Sequence, residues 1–431
     1  MQTSYRGRTG SSKPSEKPSR LASALRRFPV VVVTGARQTG KTTLVGGSAI
    51  ARGRSFRTFD DFDTLDRALG QPGALLEGAE SLTLDEVQRA PGVLSAIKRE
   101  VDRSRRPGRF LLTGSANLLM MRRVSETLAG RAAYLTPWPM TESEKAGRAD
   151  PGPWSGWLEA ADARSVRDRV AFSEAPDEWP SRAFAGGYPV PALAADETGR
   201  AQWFDGYVRT YLERDLQDLS SVSSLTDFRR LMRLATHRLG QMLNQTDLAR
   251  DAGIPQATAH RYLNLLETSC QIVRLPAFAT SRTKRLVKTP KLYWTDTGLA
   301  AHLAGLGPAG RPTDVEMPGA LLENLVLTHI LAWRETVVPR PEVHYWRTHS
   351  GAEVDLVIER GHRLLPVEVK AARRVRLSDA ASLGAFLEEY GRAAPIGILL
   401  YGGREVLFLT ERILAVPLGV VWGCESRPSA P

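Results

Sequence analysis

Gly35-Ala36-Arg37-Gln38-Thr39-Gly40-Lys41-Thr42 sets two glycines, a lysine and a hydroxyl at the spacing G-x-x-x-x-G-K-[ST]. Glycines at those places let backbone N–H groups wrap a polyphosphate, and a helix starting behind them adds the positive end of its dipole. The chemistry predicted is nucleoside triphosphate binding by residues 35–43. Lys41 reaches the β- and γ-phosphates, the Thr42 hydroxyl ligates Mg²⁺, and Thr43 lies in the first helical turn. Asp85 and Glu86 in "SLTLDEVQ" end an apolar run. Asp85 is expected beside the metal with Thr42, and Glu86 is expected to act as general base toward the attacking water. A solvated acidic turn is the competing reading of that pair.

"RFLLTGSANLL" is a further apolar run ending in small polar residues. Thr113, Ser115 or Asn117 is expected to hydrogen-bond the γ-phosphate or the water, with a plain strand-to-helix cap as the alternative. Arg131 in "SETLAGR" is a cation able to stabilise transition-state charge, in its own site or a neighbouring subunit's.

These groups work together only if strands and helices bring them to one edge. From "LASALRRF" to "YLTPWPM", helical stretches alternate with the β-branched runs "VVVVT", "SLTLDE", "RFLLTGS" and "AAYLT". That alternation predicts an α/β domain with a parallel sheet over 21–140. Residues 1–20 read as a disordered basic arm and 141–200, rich in Pro, Gly and Trp, as an irregular connection. Residues 201–305 read as helices closing in a hairpin of "QIVRLPAF" and "KLYWTDTGL". A last domain, 314–425, runs from the helix "ALLENLVLTHILAW" into several strands.

Two further constellations lie in that second half. "NQTDLARDAGIPQATAHRYLNLLE" reads as two helices joined at Gly253, the first capped near Asn244 or Thr246. The exposed face of the second helix offers Gln256, Thr258, His260, Arg261 and Asn264, types that reach base edges or phosphates. Arg282, Lys284, Arg285, Lys288 and Lys291 follow within "SRTKRLVKTPK", a basic wing suited to a phosphate backbone. The competing readings are a lid over the nucleotide and pairing of these cations with acids of another domain.

In the last domain, strand alternation puts Glu353 and Asp355 on one face of "EVDLVIE" and Glu368 and Lys370 on one face of "VEVK". If those strands pair, Asp355 and Glu368 converge on a divalent metal, Lys370 activates a water, and Glu323 completes the set from a helix. An inert scaffold is the alternative.

The formal charge of +11 is uneven: residues 1–313 carry 45 Lys/Arg against 32 Asp/Glu, and the remainder 13 against 15. A basic balance favours a polyanionic partner. Two distant cysteines, Cys270 and Cys424, give neither a disulfide framework nor a zinc cluster. No apolar run reaches the roughly 20 residues of a membrane span, and no secretory leader is evident, so a cytoplasmic location is expected.

The order "VVVVTGARQTGKTTL", "LTLDEVQ", "FLLTGSAN", "SETLAGR" resembles the prokaryotic AAA+ ATP-binding proteins whose C-terminal half is a domain of unknown function. The resemblance continues through "GGYP", "YVRTYLERDL", "KTPKLYWTDTGL", "LLENLV", "EVDLVI" and "VEVK" over nearly the whole chain. It implies three modules: a P-loop AAA+ domain, a winged helix and a restriction-endonuclease-like fold. Glu323, Asp355, Glu368 and Lys370 look like the PD-(D/E)xK nuclease set. The expected function is Mg²⁺-dependent ATP hydrolysis coupled to that C-terminal half and acting on DNA, with a homo-oligomer formed through the AAA+ domain. The alternative is a nucleotide-gated regulatory protein that grips a protein partner or an operator without cutting DNA.

Overall fold

Val30–Val33 are β-branched and buried on both sides, and their alternation feeds two cores. Val30 and Val32 join Phe110, Leu112 and Leu84 on one side, while Val31 and Val33 join Val45 and Leu111 on the other. A strand covered on both faces belongs in the middle of a parallel sheet. The computed structural model describes residues 20–47, 49–115, 127–170, 178–194, 196–215, 224–281, 283, 285, 288–306 and 318–423.

The first layer runs α1 (Arg20–Leu25), β1 (Val30–Gly35), α2 (Lys41–Gly47), β2 (Ser55–Thr58), α3 (Phe62–Gly70), β3 (Leu82–Asp85), α4 (Val93–Arg103), β4 (Phe110–Ser115) and β5 (Ala132–Leu135). Its five strands are all parallel in the order β2-β3-β4-β1-β5, so this part is the expected α/β sheet. The C-terminal edges of β1, β4 and β3 therefore lie side by side, the crevice where open α/β sheets bind ligands. Arg20, assigned to the disordered arm, instead begins α1 and pairs with Glu335 at 2.8 Å. The rest of that arm lies outside the described residues.

Among the described residues, the stretch expected to be irregular holds five short helices before residue 197: Glu142–Lys145, Trp154–Leu158, Ala163–Arg167, Trp179–Ala185 and Pro189–Ala192. Each spans two turns or fewer, too short for a helical period to register in the sequence. Trp154, Trp157 and Leu158 of the second are buried in one core with Ala163, Val166 and Ala183 of the next two.

Then come α5 (Glu197–Tyr207), α6 (Leu225–Thr236), α7 (Gln245–Ala252), α8 (Gln256–Thr268), β6 (Ile272–Leu275), β7 (Lys291–Trp294) and α9 (Thr297–Leu303). "KLYWTDTGL" is thus half strand and half helix, because the Asp296 carboxylate caps α9 by accepting from Leu299 N–H at 2.8 Å. The last layer is α10 (Pro318–Arg334), β8 (Glu342–Arg347), β9 (Glu353–Arg360), β10 (Arg363–Lys370), α11 (Ala381–Tyr390), β11 (Gly397–Tyr401), β12 (Leu407–Phe408) and β13 (Ile413–Pro417). Its sheet order is β12-β13-β11-β10-β9-β8, antiparallel from β8 to β10 and parallel from β10 through β11 to β13. Ile398 and Leu400 face a core shared with α6–α10, and Leu399 and Tyr401 face α11. That shared core runs without a break from Tyr262 and Trp294 to Leu356 and reaches Ala36 in the glycine loop.

Candidate nucleotide site and a second acid cluster

The loop from Gly35 to Gly40 turns back on itself through two left-handed residues, Gln38 (φ 64°) and Gly40 (φ 80°). Glycine suits such a turn because it has no Cβ to clash there. Thr39 Oγ1 donates to Ala36 O at 3.0 Å and braces the turn. Lys41 opens α2 and is 7% exposed; its ammonium donates to Ala36 O at 2.6 Å and Gly35 O at 3.3 Å. Burial pulls the Lys41 pKa down to about 8, although Glu86 and Asp85 favour its charged form. Arg37, Gln38, Thr42 and Thr43 are exposed.

Thr42 Oγ1 donates to Asp85 Oδ2 at 3.1 Å, joining the start of α2 to the end of β3. Asp85 is 3% exposed, and its other oxygen accepts a short hydrogen bond from the Thr113 hydroxyl on β4. A hydroxyl and a carboxylate in contact at a helix N-terminus form the hard-oxygen pair that suits Mg²⁺. Thr113, one of the three candidates for the γ-phosphate beside Ser115 and Asn117, is completely buried and donates to Asp85. The register explains this: β4 lies between β3 and β1, with Thr113 paired to Val33 and Leu112 to Leu84.

Glu86 sits directly after β3 in a left-handed conformation (φ 56°, ψ 42°). That conformation costs a residue with a Cβ about 1–3 kcal/mol and is found where function over-determines the backbone. Its carboxylate accepts from Gln88 Nε2, and burial raises its pKa. A carboxylate with raised pKa beside a phosphate cradle is suited to proton abstraction.

Arg131 does not reach this group. It precedes β5, where its carbonyl accepts from Val30 N–H at the N-terminal edge of the sheet, while Gly35 lies at the other edge. Five residues of strand separate the edges, about 17 Å at ~3.3 Å per residue. Arg131 Nε pairs with Asp102 at 2.6 Å instead. The β4 backbone extends to Ser115, whose side chain, like all of Asn117, lies outside the described residues.

Residues that follow the parallel sheet cover one side of the loop. A Cβ on Gly40 would lie 3.8 Å from Pro189 Cγ, and one on Gly35 would lie 3.0 Å from Pro137 O. A cavity of about 150 Å³ is lined by Ala36, Trp138, Glu267, Cys270, Ile272 and Thr295, among others. The Gly186-Gly187-Tyr188 backbone is clamped by buried Asp296, which accepts from Gly187 N–H at 2.6 Å and Tyr188 N–H at 3.2 Å. This clamp was not anticipated; the paired glycines of "GGYP" were its one trace in the sequence.

The helix pair forms as expected. Asn244 caps α7 by accepting from Thr246 and Asp247 N–H, Gly253 ends it in the left-handed region (φ 66°), and α8 follows Pro255. Gln256, His260 and Arg261 are exposed. His260 is tied to Gln245 at 3.0 Å and to Asn264 at 2.9 Å. Arg285, expected to contact DNA, is committed elsewhere. Its guanidinium pairs with Glu359 and approaches Glu342 at 3.5 Å, leaving the side chain 11% exposed. Acids on β8 and β9 outcompete solvent for it. Lys288 is exposed, and Arg282 and Lys284 lie outside the described residues.

The last domain's acids converge. Glu323 from α10 and Glu353 and Asp355 from β9 surround one ammonium, that of Lys291 on β7, while Glu368 on β10 pairs with Lys370. Lys291 Nζ lies 2.6 Å from Glu353, 3.1 Å from Glu323 and 4.0 Å from Asp355. Burial opposes its charge, but Glu323, Asp355 and Glu353 together outweigh burial and raise its pKa. Asp355 Oδ2 accepts from Val369 N–H at 2.9 Å, and Lys370 pairs with Glu368 at 2.7 Å. Burial, then the Asp355 charge, raises Glu368 to about 8; the same two causes raise Glu323 to about 8. Lys291 was expected on the basic wing, and nothing local in "KTPKLYW" marks it as a buried counter-ion.

Residues 27–145 match the AAA domain family, 176–310 match DUF8612 and 318–421 match DUF4143, the last two both domains of unknown function. The uncharacterized proteins Rv2008c of Mycobacterium tuberculosis and Mb2031c of Mycobacterium bovis are each 32% identical over 401 residues, 93% of this chain and 82% of theirs. The Walker-type ATPase PABY2304 of Pyrococcus abyssi aligns at 16% identity over 66% of this chain and 93% of its own, with TM-score 0.38. Among the described residues no helix is long and apolar enough to cross a membrane.

Proposed function

Because the chain belongs to the family of the mycobacterial proteins Rv2008c and Mb2031c and carries an AAA-type P-loop domain, we propose that it is a Mg²⁺-dependent ATPase whose C-terminal half acts on DNA. The observation that carries the reading is the contact between Thr42 and Asp85, next to the Lys41 ammonium and the strained Glu86.

Residues 35–43 hold the triphosphate through backbone N–H groups, and Lys41 exchanges its two carbonyl partners for β- and γ-phosphate oxygens. Thr42 and Asp85 hold the magnesium, which when bound neutralises charge on those phosphates. Glu86 orients the attacking water and takes its proton, and burial keeps that carboxylate basic enough to do so. Thr113 keeps Asp85 from turning away. Asn117 is assigned to the γ-phosphate. Arg131 is assigned to a neighbouring copy's nucleotide in a homo-oligomer formed through the AAA+ domain, a move that requires breaking its pair with Asp102.

Three features support coupling to the second half. Pro189 and Cys270 lie against the glycine loop, Asp296 clamps the segment carrying Pro189, and one core links α8 to the last sheet. The α7–α8 pair with its hairpin is assigned as a winged helix whose exposed Gln256, Arg261 and Lys288 meet DNA. Three antiparallel strands leading into two parallel ones, with Asp355 and Glu368 on adjacent strands, support a restriction-endonuclease-like reading of the last domain. Glu323, Asp355, Glu368 and Lys370 are its metal and water set. The position of Lys291 favours a second reading as well, a nucleotide-gated protein that grips its partner without cutting while the cluster is filled.

The test is phosphate release by the full chain with Mg²⁺ and with EDTA, repeated for Glu86→Gln. Loss of roughly 10²–10⁴ in turnover with nucleotide binding retained is expected for a general base. Unchanged turnover in Glu86→Gln removes the assigned base.

A further inference from the structure

We propose that Glu342, His344 and Glu359 form a transition-metal site at the β8 edge of the last sheet, suited to Zn²⁺, and that the ion takes the place held by the Arg285 guanidinium. The site stands apart from the nucleotide loop and from Asp355 and Glu368.

β8 pairs with β9 so that Glu342 lies directly across from Glu359, and His344 follows two residues on, on the same face of β8. One ligand atom from each of the three side chains lies within 4.8 Å of the other two. His344 Nε2 is 3.3 Å from Glu342 Oε2 and 3.3 Å from Glu359 Oε2. Ligand atoms about 2.0–2.2 Å from a tetrahedral Zn²⁺ are themselves about 3.3–3.6 Å apart. The two edges that meet at Nε2 therefore already have the length found in one coordination shell.

The imidazole marks the group as more than a surface ion pair. Its side chain is 4% exposed, and Nδ1 is buried without a hydrogen-bond partner. The polar contacts of the ring are therefore at Nε2, and they are long: 3.3 Å to each carboxylate and 3.4 Å to Arg285. Good N–H···O bonds span about 2.7–3.2 Å. A buried ring that faces three partners and closes on none is under-satisfied, and a metal bond at Nε2 removes that cost. Burial and the Arg285 charge lower the His344 pKa and keep the ring neutral, the form that binds metals.

Arg285 stands at the centre of the group. Its Nη1 is 3.4 Å from His344 Nε2 and 3.5 Å from Glu342 Oε2, and it pairs with Glu359 Oε2. One cationic nitrogen thus touches all three ligand atoms, and an ion bound by them excludes it from that point. The imidazole also selects the ion: it suits Zn²⁺, whereas Mg²⁺ and Ca²⁺ favour sets made of oxygen alone. Glu342, 67% exposed, opens the group to solvent and gives the ion its way in. Phe278 packs edge-on against the His344 ring at 5.7 Å and fixes its direction.

The experiment titrates Co²⁺, a coloured substitute for Zn²⁺, into the untagged full chain without nucleotide, follows its visible absorption, and then displaces it with Zn²⁺ to measure affinity. The proteins are the unaltered chain, Glu342→Gln, His344→Ala and Arg285→Met, the last keeping an apolar stem against Phe278. The unaltered chain is expected to hold Co²⁺ with no thiolate charge-transfer band. Glu342→Gln and His344→Ala are each expected to weaken binding by more than about tenfold. Arg285→Met is expected to tighten it several-fold by removing the competing cation. Glu342 lies at the surface, so its variant keeps the test open should His344→Ala fail to fold. Binding as tight in Glu342→Gln as in the unaltered chain, an ion held by a thiolate, or no binding in either the unaltered chain or Arg285→Met overturns the site. No gain in Arg285→Met overturns the exchange with Arg285.

Discussion

Lys41 makes nucleotide affinity depend on pH in a way that its surroundings specify. Burial lowers its pKa from 10.5 to about 8. That shift corresponds to on the order of 3 kcal/mol held against the charged form, which bound phosphates repay. The sign follows from linkage. The nucleotide complex keeps Lys41 protonated, whereas the free protein loses that proton above pH 8, so binding must take a proton up and affinity falls. The polyphosphate is fully ionised by then, its last pKa being about 6. Affinity for MgADP is expected to be flat from pH 7 to just below pH 8, about tenfold weaker at pH 9 and about a hundredfold weaker at pH 10. Calorimetry at pH 8 in buffers of different ionisation enthalpy should show uptake of about half a proton. Lys41→Arg keeps a charge that does not titrate in this range and should flatten the profile. Constant affinity through pH 9.5 in the unaltered chain, or the same slope in Lys41→Arg, would refute the assignment of the buried lysine to the phosphates.

Other expectations concern the supports of the site. Thr113→Val removes a fully buried hydroxyl but leaves Asp85 its contact with Thr42, so a stability loss of about 1 kcal/mol by denaturant melting is expected, with nucleotide binding retained. A Cβ on Gly186 (φ +64°) would come 2.4 Å from Asp296 Oδ1; Gly186→Ala should cost more than ~1 kcal/mol and weaken nucleotide binding through the Pro189 segment. His329 is buried, accepts from Glu142 N–H at 2.9 Å and faces Leu325 O at 2.9 Å, and burial lowers its pKa to about 4. The unfolded chain takes up this proton near pH 6.5 and the folded one only near pH 4, so stability should fall by on the order of 3 kcal/mol between those values. His329→Gln should remove most of that slope in urea melts across the range. Arg261→Ala and Lys288→Ala should each reduce the salt dependence of DNA binding by about one phosphate contact; an unchanged slope in both removes the helix pair from the interface.

The glycine loop, Asp85 and Glu86 were legible because their chemistry is local: a strand, a turn needing positive φ and a helix start follow one another within a few residues. The α7–α8 pair was legible for the same reason, through its Asn244 cap and the Gly253 turn. Alternation also put Glu353 with Asp355 and Glu368 with Lys370. Sequence spacing could not show which distant cations the acids hold. Lys291 and Arg285 look alike in a basic run, yet one is buried among three carboxylates and the other is shared by two. The contact of Thr113 with Asp85 is not legible in the sequence, because it depends on β4 lying beside β3, an order the sequence does not reveal. Arg131 is close to the loop in sheet order but a strand's length away along the chain direction.

The most direct measurement is a crystal structure of the full chain with Mg²⁺ and a non-hydrolysable ATP analogue. It should show the γ-phosphate at the start of α2, Lys41 Nζ moved from the Gly35 and Ala36 carbonyls onto phosphate oxygens, and one magnesium held by Thr42 with Asp85 beside it. A nucleotide bound away from the loop, or a metal that touches neither Thr42 nor Asp85, would contradict the proposed ATPase site.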